Sequence, residues 1–284
     1  MSENITTKRK IRVKPVVAAS SKFSRYKPEE EKEVRKVSVA KDQVLEQLIA
    51  AWKKTDYDDT DRPYDVYKKA SKQIKRISYS AKDVEKFSVA LVEFQDEERF
   101  YEKAGLFLSA LINKGKDTEY VIHTQHLSQE VHNLGYLNTK NLVVNGDAGP
   151  EAGAHMKKGN LTVNGNAGDW MGEVMKGGTI TVNGNAGKGV GKFMRGGSIT
   201  VNGNANIEVG GWMKDGTITV NGNAGDDVGC AMEDGIITVK GDAGKLVGDG
   251  MRGGAIHVEG HYEKLGGGIK GGKIYHKGVL IVGK

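Results

Sequence analysis

The chain has 284 residues, a formal net charge of +6 and a single cysteine, Cys230. One thiol excludes intramolecular disulfides and thiolate metal clusters and fits a reducing compartment. No apolar run reaches the length of a membrane span and no secretory leader is evident, so a soluble, cytoplasmic protein is expected, and the length suggests two domains.

Residues 1–27 hold eight Lys or Arg and one acid, Glu3. Residues 1–37 are therefore expected to be a basic, disordered tail. Such a tail could pair with an acidic partner surface or with nucleic acid, but no aromatic platform or recognition motif supports a specific nucleic-acid site. A mainly helical (α or α+β) capping domain is expected over 38–117. Val44, Leu45, Leu48, Ile49 and Trp52 share one face at helical spacing. Asp59 to Pro63 break that helix, and Pro63 suits the first turn of the next, marked by Val66, Tyr67, Ala70, Ile74 and Ile77. Ser80 and Asp83 resemble a capping box. Phe87 to Phe94 fit either helix or strand. Phe100, Ala104, Phe107, Leu108 and Leu111 form an apolar stripe closed by Gly115. Tyr120 to Ile122 read as a strand, an irregular cap turn on the C-terminal half of the chain. His123, His126 and His132 lie close together in sequence, yet a zinc site needs a further ligand and a frame that the sequence does not offer, so a polar cap loop is expected.

From Asn141 a 19-residue unit recurs, with starts at Asn160, Thr179, Ser198, Thr217, Ile236 and Ala255, and a partial unit from Lys273 after a one-residue deletion. A fixed short period means one supersecondary unit stacked on itself. Each unit opens on an alternating strand such as Ile180-Thr181-Val182, followed by Asn183-Gly184 at a corner expected to use left-handed angles. Two further short extended stretches, one through Ala186 to Val190 and one carrying Met194, complete a three-cornered coil. The fold class expected over 118–284 is mainly β, a parallel β-helix of about seven to eight coils, with strands about 4.8 Å apart. Ladders of Leu/Ile (Leu142 to Ile256), Val (Val144 to Val258), Ala (Ala148 to Ala243) and Met (Met156 to Met251) should point inward.

The bland reading of each unusual residue is preferred. The Met ladder is core filler rather than a soft-metal line. The Asn ladder is stacked amides rather than a ligand site. The Asp residues do not match a calcium nonapeptide, and no helix follows Gly187-Lys188-Gly189-Val190-Gly191 as a phosphate loop would require. Cys230 reads as a plain surface thiol. Acids at Asp169, Glu173, Glu208, Asp215, Asp226, Asp227 and Asp234 show no repeating pair of the kind sugar-cleaving β-helices carry.

The pattern Gly-x-x-Gly-x-x-x-Gly, as in Gly165-Asn166-Ala167-Gly168-Asp169-Trp170-Met171-Gly172, recurs in register. It resembles the GXGXG-type domain shared by the glutamate synthase large subunit, one subunit of formylmethanofuran dehydrogenase and the matching subunit of the formyltransferase/hydrolase complex. The resemblance covers about residues 141–284 and implies a right-handed β-helix used for structure and assembly, the chemistry residing in other domains or subunits. No catalytic, cofactor-binding or metal residue is carried over. The expected function is a non-catalytic assembly subunit of a multi-subunit redox or one-carbon, formyl-transferring complex. The alternatives are a self-associating β-helix structural protein and a glutamate-synthase-related domain protein. Partners are other protein subunits or further copies of the chain, met through the apolar C-terminal strand Val279 to Val282, with no membrane span.

Overall fold

Helix α1, Gln43–Lys53, begins where the Asp42 carboxylate accepts the Leu45 amide, and it buries Leu48, Ala51 and Trp52. The structure is a computed structural model that describes residues 42–283, so the basic tail expected over 1–37 lies outside the described residues. Helix α2, Pro63–Ile74, starts on its proline, and Asp65 reaches back to the Arg62 amide. The capping box at Ser80 is present: its hydroxyl accepts from the Asp83 amide while Asp83 accepts from the Ser80 amide, opening α3 over Ala81–Ala90. The undecided stretch Phe87–Phe94 is helical, running from α3 into a 3-10 turn at Leu91–Phe94. Helix α4, Phe100–Lys114, is buried almost throughout and ends at Gly115, whose amide bonds the Leu111 carbonyl. Its closeness to the coil is such that a Cβ on Gly105 would overlap the His132 carbonyl.

The remainder is a solenoid. Its strands are β1 (Glu119–His123), β2 (Asn141–Asn145), β3 (Asn160–Val163), β4 (Thr179–Val182), β5 (Arg195–Val201), β6 (Asp215–Val220), β7 (Ile236–Val239), β8 (Ala255–Val258), β9 (Lys273–His276) and β10 (Val279–Gly283). They form one ten-stranded sheet in sequence order. From β2 to β8 the strands pair residue for equivalent residue one repeat on, as Ile180 with Ile199 and Val182 with Val201. The register is set by the repeat itself, because a slip of one residue would turn Ile and Val outward. β1 joins the same ladder, Tyr120 facing Leu142, at a longer spacing than the repeat. The Leu/Ile, Val, Ala and Met ladders are all buried. A further buried ladder, not among the four expected although Val recurs in its last four members, runs through Ala152, Met171, Val190, Val209, Val228 and Val247.

Two details depart from the expected coil. Each turn has one true strand; the Ala column makes single parallel bridges (Ala186 to Ala205, for example), and the Met segment is mostly turns. The Asn-Gly corner uses positive φ only in the first repeat, at Gly146 (φ +118°), and not at Gly165, Gly184, Gly203 or Gly222. Glycine is required there by crowding: a Cβ on Gly184 would stand 2.5 Å from Asn166 Oδ1 and 2.7 Å from the Gly165 carbonyl oxygen. Left-handed geometry falls instead on the later corners, at Glu151, Trp170 and Glu208 in one column and at His155, Val174, Phe193 and Trp212 in another.

Side-chain amides do stack. Asn164, Asn183, Asn202 and Asn221 each donate to the Asn one coil below at 2.7–2.9 Å. The run stops where Lys240 replaces the next Asn, leaving Asn221 Oδ1 without a partner among the described residues. A second column accepts from the backbone, as Asn166 Oδ1 does from the Asn185 amide at 2.9 Å. Asn183→Ala cuts the ladder at its middle and leaves Asn164 and Asn202 each one bond short. The site is exposed, so water re-solvates the ends and the cost should be about 0.5–1 kcal/mol in a urea titration. A loss well above that would mean the ladder acts cooperatively rather than bond by bond.

Candidate interaction surfaces

The C-terminal strand does not continue the coil. Lys277 and Gly278, both at positive φ, make a two-residue reversal, and β10 lies antiparallel on β9, with Val279 opposite His276 and Leu280 opposite Tyr275. The register shifts between Leu280 and Val282, the mark of a bulge. The inward residue of β9, Ile274, is buried, whereas Val279, Leu280 and Ile281 are 64%, 50% and 37% exposed. The outer edge of β10 has no strand beside it among the described residues. An apolar strand with a free edge is a template for another strand. The sequence places this edge but hides its reversal, because Lys-Gly is a weaker turn signal than Asn-Gly.

A second surface lies on the turn face of the coil. Phe193 and Trp212 stand 5.6 Å apart, with Lys192 Nζ 4.8 Å from the Trp212 ring, and Lys188 Nζ lies 4.8 Å from Trp170. Lys192 also bonds Glu208 at 2.7 Å. These residues belong to two periodic columns, whose residue types vary from coil to coil, unlike the inward ladders.

The titratable residues that stand out in the sequence do not converge. His123 Nε2 lies 3.1 Å from Glu85 Oε1, His126 Nε2 is buried without a hydrogen-bond partner among the described residues, and the His132 ring packs at 4.7 Å on Tyr101. Burial holds the His132 pKa below the ordinary range. Among the described residues no group of three or more His, Cys, Asp or Glu could hold a metal ion. Cys230 is half-buried rather than a plain surface thiol, and burial, with Asp227 and Glu208 adding to it, pushes its pKa up to about 11. A thiol so shifted is a poor nucleophile at neutral pH. Asp169 and Asp226 accept backbone amides one coil on, from Lys188 and Lys245, and Asp215 and Asp234 accept from the glycines that follow them. These acids hold turns together.

Two acids are placed differently. Glu151 and Glu173, on neighbouring coils, line a cavity of 390 Å³ against the start of α2, together with Tyr64, Tyr136 and His155. Burial first, then the neighbouring Glu173 charge, raises the Glu151 pKa, and burial raises that of Glu173. Burial lowers the pKa of His155, with Lys176 and Arg195 adding to it. In the sequence Glu173 is one scattered acid among several, and Glu151 carries no signal. Nothing local pairs them, and only the stacking of coils and the packing of α2 bring these groups to one place.

Among the described residues no helix is long and apolar enough to cross a membrane. No family model matches the chain, and no curated protein matches it. Among solved structures, it is similar to a chain in the X-ray crystal structure of the formyltransferase/hydrolase complex (FhcABCD) from Methylorubrum extorquens in complex with methylofuran. The two are 30% identical, over 52% of this chain and 58% of that chain, with a TM-score of 0.47, so this chain spans a little over half of that one's length.

Proposed function

We propose that the chain is a non-catalytic assembly subunit of a multi-subunit redox or one-carbon, formyl-transferring complex, and that it works by contact. The observation that carries this reading is the apolar edge of β10, which has no strand beside it among the described residues and leaves Val279 and Leu280 half or more exposed. The ladders support it, since the repeats devote their inward residues to packing and acids such as Asp169, Asp215, Asp226 and Asp234 to turns. The resemblance of the repeats to GXGXG-type domains supports the kind of complex. The same edge also suits antiparallel pairing with a second copy, which is the reading of a self-associating structural protein.

The test is size exclusion with light scattering on the purified full chain, beside affinity capture from native extract with identification of what is captured. The expected result is an assembly containing a subunit that itself carries redox or formyl-transfer chemistry. Leu280→Asp, which places a charge on the open edge, should weaken that assembly at least about tenfold while the melting curve stays within about 0.5 kcal/mol of the parent. A homodimer with no second subunit would favour self-association. A monomer that captures nothing and turns over a substrate alone overturns both.

A further inference from the structure

The cavity between α2 and the first coils holds charge that the chain does not neutralise. Lys192 and Glu208 give an internal standard: they stand sixteen residues apart on adjacent coils and bond at 2.7 Å. Glu173 occupies the repeat position of Lys192 one unit earlier, and the residue in the place of Glu208 is Gly189. Glu151 shares the repeat position of Glu208, and the first-coil residue that faces it is Tyr136. The solenoid therefore has a pairing position for these acids and leaves it empty of cations. The Glu173 side chain makes no hydrogen bond or ion pair among the described residues, and the nearby Lys192 is engaged by Glu208. The buried Asn133 amide beside Glu151 carries no charge and only partly offsets the effect of burial. Arg62, at the rim, has its side chain 88% exposed and turns to Asp65 at 3.7 Å. His155 is held toward its neutral form.

An independent observation points to an occupant. Tyr136 is only 7% exposed, its ring lines the cavity, and its hydroxyl makes no hydrogen bond among the described residues. The hydroxyl oxygen keeps contact with open space, so it is available to a ligand's donor or acceptor. The ring is fixed from behind by Tyr67 at 5.8 Å and flanked by His155 at 5.5 Å, so the group is positioned rather than loose. Tyr64 stands at the mouth, 52% exposed. Two carboxylates without a bonded counter-ion, a positioned hydroxyl and two aromatic walls in a space of 390 Å³ match the chemistry of an organic cation. The cations nearby are Arg62 at the rim, Lys192 beside Glu173, and Lys176 and Arg195 beside His155. A metal ion fits less well, because the ligand set never reaches three convergent donors.

We propose that this cavity binds an organic cation, a guanidinium, amidinium or primary ammonium on a short apolar or aromatic stem, with Glu151 and Glu173 as its counter-ions and Tyr136 and Tyr64 as its walls. The cation could be a free amine or the side chain of a partner protein, and the chemistry is the same. The proposal stands apart from the assembly reading and does not depend on it.

Titration calorimetry on the full chain tests it with benzamidine, agmatine and the neutral isostere benzamide. Benzamidine or agmatine should bind, and benzamide should bind at least about tenfold more weakly. Glu151→Gln and Glu173→Gln should each weaken cation binding about tenfold, whereas Glu259→Gln, exposed and several coils away, should leave it unchanged. The glutamine variants keep the side-chain shape and remove like charges, so their melting curves should match or exceed the parent's and report folded protein. N-acetyl-arginine amide then separates the sources: binding equal to agmatine means the mouth admits a peptide chain, and binding by agmatine alone means a free small molecule. Absence of binding by both cations at millimolar concentration, or binding indifferent to both glutamine changes, overturns the proposal.

Discussion

Gly191→Val should destabilise the chain by about 2–5 kcal/mol, a fall in melting temperature on the order of 10 °C. Two separate costs meet at this position. The backbone sits at φ +66°, where a β-branched residue is an outlier. A Cβ there would lie 2.5 Å from Ile218 Cδ1 and 3.3 Å from Ile199 Cδ1, both on fully packed inward side chains. The crowding is a product of stacking: the corner of one coil abuts the Ile ladder of the next two, and the same glycine recurs at Gly153, Gly172, Gly210, Gly229 and Gly248 with φ between +66° and +72°. Gly250 separates the two costs. It has φ +63°, but a Cβ would meet nothing nearer than 4.0 Å. Gly250→Val should therefore cost only the backbone share, about 1–3 kcal/mol. Equal effects of the two substitutions in denaturant titrations would show that the Ile ladder yields freely and that the corner is not set by packing.

The part of the fold that repeats is legible because each inward residue recurs at one spacing, so Ile180, Val182, Ala186 and Met194 each announce a column. The helices are legible at their ends, where Pro63, the Ser80–Asp83 pair and Gly115 act through local backbone groups. Phe87–Phe94 is not, because a short apolar run has the same composition in a helix or a buried strand, and what decides it is packing on β1. There the Ser88 hydroxyl accepts the His123 amide at 3.1 Å, a contact across 35 residues. The Asn-Gly corner misleads for a related reason. Its glycine serves the neighbouring coil, and propensity describes only a residue's own backbone. The candidate surfaces divide in the same way. The β10 edge is a run of apolar residues visible in one dimension, while its reversal depends on Lys277 accepting φ +49°. The cavity is invisible in the sequence, since it takes Tyr64 from a helix, Tyr136 from an irregular turn and Glu151 and Glu173 from two coils, and none of these breaks a pattern by itself.

Trp52→Ala should cost about 3–5 kcal/mol and separate the unfolding of the helices from that of the coils. Trp52 is fully buried, with Phe94, Phe100 and Phe107 ring centroids at 5.9, 6.0 and 5.6 Å and Phe87 at 6.3 Å. Lys103 Nζ lies 4.1 Å from the ring and bonds Glu97 at 3.2 Å, and the indole N–H donates to the same Glu97. Removing the indole opens a void at the meeting point of α1, α3 and α4 and takes the aromatic partner from a buried ammonium. The coils from β2 onward are held by neighbour-to-neighbour ladders, so they should outlast this cluster. Trp170 and Trp212, both on the coil, then become the only tryptophans and report the solenoid alone, while far-ultraviolet dichroism reports the helices. The expected record is an early loss of helix signal followed by a later fluorescence transition near the parent's. If the helical layer is the cap that shields β1, the intermediate carries an uncovered strand edge and should self-associate with rising concentration. A single coincident transition displaced by less than about 1 kcal/mol would mean that helices and coils unfold as one and that the layer is not a separable cap.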